Sequence, residues 1–369
     1  MASSTHDAAA VGGKDVCDIG QPTLGRRTTQ DWLHPARVYE YGSAANPVLK
    51  PVPVLVHPPE LHQSGDSRII PFDLSVLMDI EGAACTTPNL MASFVRVKEG
   101  ESIETQATAT SQAFYVIRGS GKSSTKDFGN MSWSSGDLFV LPAVAGAVTH
   151  SCRSAEEHGA AALYWIHDGP LLEYLGVSPS KPRFQPTLYK RQDLLAKVEE
   201  IKHSDTRSNN RLGVLLGNAM CDQTKTLTHV LWSLLNSIPA NSVQRPHKHN
   251  SVALDLCVST KPGVYTLMGP EIDDQGHIVD PIRCDWAAGG VFVTPPGWWH
   301  SHHNESDEVA WVLPIQDAGL YTYQRTLDIR FVDDELARHS GGRIRGSTFE
   351  VSDEQYEEIR KGKRAQACE

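Results

Sequence analysis

Arg245-Pro246-His247-Lys248-His249 carries the first chemical signal in the chain. On a strand, alternate side chains share a face, so His247 and His249 point one way and Lys248 the other. Two imidazoles at neighbouring heights on an inward face can grip one metal ion. A third ligand is available 51 residues after His249, where Gly289, Pro295, Gly297, His300 and Asn304 follow at fixed spacing. The glycine and proline set a tight turn that aims His300 at the same interior. Three neutral ligands leave a divalent ion its full charge and open coordination positions. Imidazole suits iron, zinc, copper, nickel and manganese, so the ligands alone do not choose the metal, and a zinc–hydroxide site is physically possible.

The elements that must position these residues are short. From about residue 88, apolar runs recur between turn signals at Met91–Val97, Ala113–Arg118, Asp137–Pro142 and Ala160–Ile166. A second series covers His229–Leu235, Ser251–Val258, Gly263–Met268, Gly289–Thr294, Glu308–Ile315 and Thr322–Ile329. Such a pattern predicts an all-β barrel or sandwich. The two series are copies. Trp133, Gly136, Phe139, Val140 and Pro142 coincide without gaps with Trp286, Gly289, Phe292, Val293 and Pro295, at an offset of 153 residues. The first copy has Gln106, Thr108 and Gln112 where the second has its histidines, and it keeps only His150, which sits late relative to Pro142. One imidazole cannot hold a metal, so the first copy reads as structural, or as part of a subunit interface.

Around the copies, residues 1–87 read as a flexible leader and a Pro-rich arm with one edge strand at Val52–Val56. The copies span 88–180 and 225–335, joined by a segment (181–224) whose Leu194, Leu195, Val198 and Ile201 predict an amphipathic helix over Leu188–His203. Residues 336–369 form a tail with a helix over Ser352–Lys363, capped by Ser352.

Composition narrows the class. The 369 residues are 40% hydrophobic and 21% charged, which argues against general disorder. With 34 basic and 44 acidic residues the net charge is −10, and no basic block offers a footprint for nucleic acid or an anionic membrane. No apolar run approaches the ~18 residues of a membrane helix. The N-terminus has no apolar signal segment. Seven cysteines, odd in number and without a CxxC pair, argue against a disulfide framework or a thiolate zinc site and favour the reducing cytoplasm.

The His-x-His pair followed by G-x5-P-x-G-x2-H-x3-N resembles the cupin superfamily, and its duplication implies a bicupin: two β-barrels with a few short helices. The superfamily's usual glutamate is replaced by Ala253 or Leu254. The segment from Ile238 to Leu254, with Pro295-Pro-Gly-Trp-Trp299-His300-Ser-His302-His-Asn304, is similar to the gentisate/salicylate 1,2-dioxygenase family. That resemblance implies a non-haem Fe(II) enzyme that chelates a hydroxylated aromatic substrate on iron beside O2 and opens its ring. His247, His249 and His300 would be the ligands. His302 would be the catalytic acid/base group or substrate hydrogen bonder, suited to a phenolic proton near neutral pH. Gln244, Arg245, Asp255, Trp298 and Asn304 are the candidates for lining the pocket or orienting ligands, with Tyr321, Tyr323 and Arg325 weaker ones on the following strand.

The chain departs from that family in three ways. The metal motif lies in the second barrel instead of the first. The arginine expected six residues after the second histidine is Asp255, which disfavours a carboxylate unless Asp255 pairs with Arg245 or Lys248 or lies outside the pocket. The family's N-terminal arginine is not evident, with Arg37 and Arg68 as possible substitutes. The alternatives are a metal-dependent cupin lyase, isomerase, decarboxylase or hydrolase, and a non-enzymatic small-molecule-binding bicupin. By analogy with cupins, assembly is as a homo-oligomer through sheet edges and arms.

Overall fold

The computed structural model describes residues 35–155, 157–202 and 211–333. Up to Val48 the described chain is a unit of its own, in which Glu40 opens the helical turn Tyr41–Ala44 by accepting from the Gly42 and Ser43 N–H groups. From Leu49 onward the described chain builds two β-barrels. The first combines a six-stranded sheet, in the order Thr187–Tyr189, Leu138–Pro142, Ser111–Arg118, Ala160–His167, Met91–Lys98, Arg68–Pro71, with a four-stranded sheet, in the order Ser102–Thr105, Val148–Ser154, Ser120–Thr125, Gly129–Ser134. The second combines Val56–His57, Val291–Thr294, Ala253–Ser259, Ala310–Gln316, Trp232–Ile238 and Leu212–Leu215 with a five-stranded sheet of Ile282–Asp285, Val264–Gly269, Trp299–Asn304, Ser242–His249 and Ile329–Phe331.

Both large sheets recruit strands from the flanking segments. Arg68–Pro71 and Thr187–Tyr189 edge the first barrel, and Val56–His57 and Leu212–Leu215 edge the second. The edge strand expected at Val52–Val56 is thus Val56–His57, while Val52 and Val54 pack into apolar clusters. The linker helix runs Arg191–Lys202, and its buried Val198 packs with Leu212 and Val214. The expected tail helix at Ser352–Lys363 lies outside the described residues.

Alternation along each strand sorts the core. Leu254 and Leu256 join Phe94, Tyr115 and Leu138 in a cluster shared by the two large sheets, whereas Cys257 faces the second barrel's interior with Trp286 and Phe292. The duplication extends to details. Trp133 and Trp286 are both buried, and Gly136 and Gly289 both turn with left-handed φ, +86° and +80°, where an L side chain is strained. In the first barrel, Phe114 stacks on Phe139 and Trp165, at 4.8 and 5.8 Å between centroids, and fills the interior. The five described cysteines are free and buried, and no helix among the described residues is long and apolar enough to cross a membrane.

One expected strand is corrected. Thr322–Ile329 is not a strand: the chain forms a helix, Ala318–Gln324, and resumes as strand at Ile329–Phe331. Tyr321 and Tyr323 therefore ride on a helix, and Arg325 caps it with a left-handed φ of +64°. The duplication explains this. Asp317 and Asp168 occupy matching strand ends, each followed by a seven-residue helix, and each carboxylate accepts a backbone N–H from the strand beside it, Val252 for Asp317 and Ser111 for Asp168.

The segment before the first barrel is pinned by a buried histidine. Arg118 Nη1 lies 2.7 Å from His62 Nδ1, and His62 Nε2 lies 3.0 Å from the Gly289 carbonyl of the second barrel. A guanidinium only donates, so Nδ1 accepts and Nε2–H donates. Burial is the main cause that lowers the His62 pKa from 6.5 to about 4. Between those values the unfolded chain takes up a proton that the folded one refuses, so stability falls as pH falls through that window. His62→Ala is expected to make the acid-side slope of unfolding free energy, from urea melts at several pH values, shallower by about 1.4 kcal/mol per pH unit. An unchanged slope would contradict the assignment.

Candidate metal centre and its cavity

The site is built by two adjacent strands and a bulge. Gln244 pairs with His302 and His247 with His300, so Ser242–His249 carries one extra residue between them. Pro246 sits in that bulge, where a missing ladder N–H costs least. The bulge brings Gln244 and His247, an odd step apart, to the same face. On Trp299–Asn304, His300 and His302 face the interior, while His303 stacks on Tyr265 at 4.8 Å between centroids. Gly297, at φ +79°, turns the chain and donates its N–H to the His249 carbonyl at 2.7 Å.

The ring nitrogens of His247, His249 and His300 that can ligate lie within 4.8 Å of one another, the one such cluster of three or more His, Cys, Asp or Glu among the described residues. Each ring is oriented by a backbone carbonyl. His247 Nδ1 lies 3.2 Å from the His300 oxygen, His249 Nδ1 2.8 Å from that of Ser251, and His300 Nδ1 3.1 Å from that of Trp298. Carbonyls only accept, so each Nδ1 carries the proton and each Nε2 keeps its lone pair. That is the tautomer a metal-ligating histidine needs, with its other nitrogen anchored. Burial, with the nearby Arg211 charge, holds His247 and His300 well below the ordinary imidazole range and His249 at about 4, so the rings are neutral. The residues therefore fit a divalent metal ion.

The cluster opens into a cavity of about 270 Å³. Leu215, Trp232, Leu234, Val312, Pro314 and Phe331 form its apolar wall. His302, Arg211, Asn236, Asp255 and Gln316 add the polar groups. Asp255 faces inward, as the even step from His249 required, and pairs with neither Arg245 nor Lys248. Thr294 donates to it at 2.6 Å, and burial pushes its pKa up to about 7.

Arg211 was not singled out in the sequence. Its Nη1 donates to Gln244 Oε1 at 3.1 Å, its Nη2 to the Arg245 carbonyl at 2.9 Å, and its Cζ lies 5.2 Å from the Phe331 ring centre. Both acceptors are neutral, Nε is buried without a partner, and burial draws the pKa down to about 10. Arg211, and neither Arg37 nor Arg68, is the arginine that lines the cavity. Arg68 spends its guanidinium on the carbonyls of Leu61, Ser64 and Asp66. Arg37 lies in the separate N-terminal unit.

The other candidates stand around the cavity and do not line it. Gln244, 2% exposed, holds Arg211 and exchanges amide hydrogen bonds with Asn236. Arg245 points outward and pairs with Asp333, because the bulge turns its side chain away. Trp298 packs on the barrel core and lends its carbonyl to His300. Asn304 is buried and ties the Ile238 and Glu308 carbonyls together. His150 of the first barrel matches His302, not His300: both bond through Nδ1 to a hydroxyl that lies under a tryptophan indole.

No family profile and no curated protein matches the sequence. The structure is similar to that of salicylate 1,2-dioxygenase. A single-site variant from Pseudoaminobacter salicylatoxidans in complex with gentisate gives a TM-score of 0.59 at 13% identity, over 80% of this chain and 91% of that one. The enzyme from Pseudaminobacter salicylatoxidans gives 0.56 at 13%, over 82% and 92%. Adducts of the salicylate 1,2-dioxygenase from Pseudoaminobacter salicylatoxidans with gentisate give 0.59 at 12% identity, over 80% and 90%. The likeness establishes a bicupin fold.

His249→Ala is expected to weaken zinc binding by at least about 100-fold in a competition titration, since loss of a ligand exceeds the 10–100-fold cost of losing a ligand's hydrogen-bond partner. Undiminished affinity would remove His249 from the site.

Proposed function

We propose that the chain is a metal-dependent dioxygenase that binds a hydroxylated aromatic substrate bearing an anionic group and opens its ring with O2. The observation that carries this reading is the conjunction, in one half-apolar cavity, of three oriented imidazoles with a half-buried guanidinium that has no carboxylate partner among the described residues. A half-buried cation whose described acceptors are neutral and whose Nε is orphaned is satisfied by an anion. His247, His249 and His300 would hold a divalent ion, Fe(II) in this reading, which would supply open coordination positions for an oxygen-donor substrate and O2.

The chain's own residues do the rest. Arg211 anchors the anionic group, and Gln244 keeps the guanidinium from swinging out of the cavity. Trp232, Leu234, Pro314 and Phe331 cover the ring and exclude water. His302 faces the oxygen substituents and hydrogen-bonds the one nearest to it. Arg211 removes the objection that Asp255 raised against a carboxylate. Asp255, which lines the same cavity, then recognises a polar substituent of the substrate.

One observation favours a second reading, a metal-dependent lyase or isomerase. Asp255 lies within the cavity with a pKa of about 7, where a carboxyl group can carry a proton at neutral pH. The readings separate by oxygen dependence. Protein loaded anaerobically with Fe(II) and given gentisate is expected to take up O2 and form a ring-opened product. Turnover with zinc and without O2 would support the lyase. Arg211→Gln is expected to raise KM for gentisate roughly 10–100-fold, the worth of a hydrogen bond to a charged group, and to leave a neutral catechol unaffected. Equal losses for both would deny Arg211 its anchoring role.

A further inference from the structure

The cavity contains a fourth imidazole that is not part of the ligand cluster. His302 is buried, its ring centroid 5.8 Å from that of His300 and 6.2 Å from that of His247. No backbone carbonyl orients its Nδ1. That nitrogen lies 2.9 Å from Thr266 Oγ1, and the same oxygen accepts from the Trp286 indole N–H at 2.8 Å. Thr266 is fully buried. Its hydroxyl has these two partners and one proton of its own. The indole can only donate, so it takes a lone pair of Oγ1 and no proton from it. If His302 Nδ1 also donated to Oγ1, the hydroxyl proton would be buried without an acceptor, at a cost of about 1–3 kcal/mol. The arrangement that satisfies every group runs in one direction: indole N–H to Oγ1, hydroxyl proton to Nδ1. Nε2, the nitrogen left for the cavity, then carries the ring's proton.

We infer that Thr266 and Trp286 are positioning residues that lock His302 as its Nε2–H tautomer, the reverse of the three ligand histidines, so that it offers the bound ligand a donor and the metal no lone pair. The inference rests on the site proposed above and narrows its ligand. The substrate atom facing His302 is a hydrogen-bond acceptor, a deprotonated phenolic or carboxylate oxygen, not a hydroxyl or amine that must donate. The first barrel holds the same device with its outlet closed. Trp133 Nε1 donates to Ser123 Oγ at 2.9 Å, Ser123 Oγ lies 2.8 Å from His150 Nδ1, and His150 Nε2 lies 2.9 Å from Thr105 Oγ1. There the same proton direction ends on a hydroxyl within the core.

The test is long-range proton–nitrogen correlation spectroscopy on histidine-labelled, zinc-loaded full-length protein, in the wild type, Thr266→Val and Thr266→Ser. The expected result is a protonated Nε2 and a bare Nδ1 for His302 in the wild type, retained in Thr266→Ser. In Thr266→Val the signal is expected to shift to a mixture of tautomers or to Nδ1–H. Unmoved His150 signals in the same spectrum show that the variants are folded. A bare His302 Nε2 in the wild type, or an unchanged tautomer in Thr266→Val, overturns the inference. Failure to take up zinc would refute the ligand cluster, while the His302 tautomer is still read in the metal-free protein, so the two failures are distinguishable.

Discussion

A buried imidazole has two nitrogens, and the structure depends on where each one's hydrogen bond goes. Three of the four cavity histidines give their Nδ1 proton to a backbone carbonyl, from Ser251, Trp298 and His300. The barrel's main chain, more rigid than any side chain, thereby aims three lone pairs at one point. The bulge at Pro246 and the left-handed turn at Gly297 serve this end by setting the heights of the two strands. A metal centre arranged by backbone needs no carboxylate ligand, so an ion held there keeps its charge for the substrate.

The two barrels show what duplication preserves when, among the described residues, the histidine cluster is confined to one copy. The buried tryptophan, the glycine turn and the hydroxyl under the indole persist in both. The first copy has no such histidine cluster among the described residues, and stacked Phe114, Phe139 and Trp165 occupy its interior. The second keeps its interior open and receives its cation from outside the repeat. Arg211 enters from the segment between the copies, beside the edge strand Leu212–Leu215, and stands on Gln244 of the ligand strand. Its acceptors among the described residues, Gln244 Oε1 and the Arg245 carbonyl, are both neutral.

Much of this was legible in the sequence because it is periodic. The Trp–Gly–Phe–Val–Pro match revealed the repeat, and the i, i+2 histidines with a spaced third revealed the cluster. What was missed is non-local or irregular. Arg211 has no signature, since only sheet pairing brings it to the ligand strand. Which of Gln244 and Arg245 faces inward could not be read from alternation, because the bulge at Pro246 reverses the faces of the residues before it. Thr322–Ile329 reads as a strand, yet Thr322, Tyr323 and Gln324 complete a helix begun at Ala318, at the position where the first copy has one after Asp168. That His302 shares the face of His300 was legible in its spacing. Its tautomer was not, because Thr266 and Trp286 lie on other strands.

X-ray absorption at the iron edge, on anaerobic protein reconstituted with Fe(II), tests the central claim most directly. Three imidazole nitrogens at about 2.0–2.2 Å, together with oxygen scatterers that change when gentisate is added, are the result this account predicts. Four imidazoles, a coordinating carboxylate, or a spectrum indifferent to gentisate would contradict it.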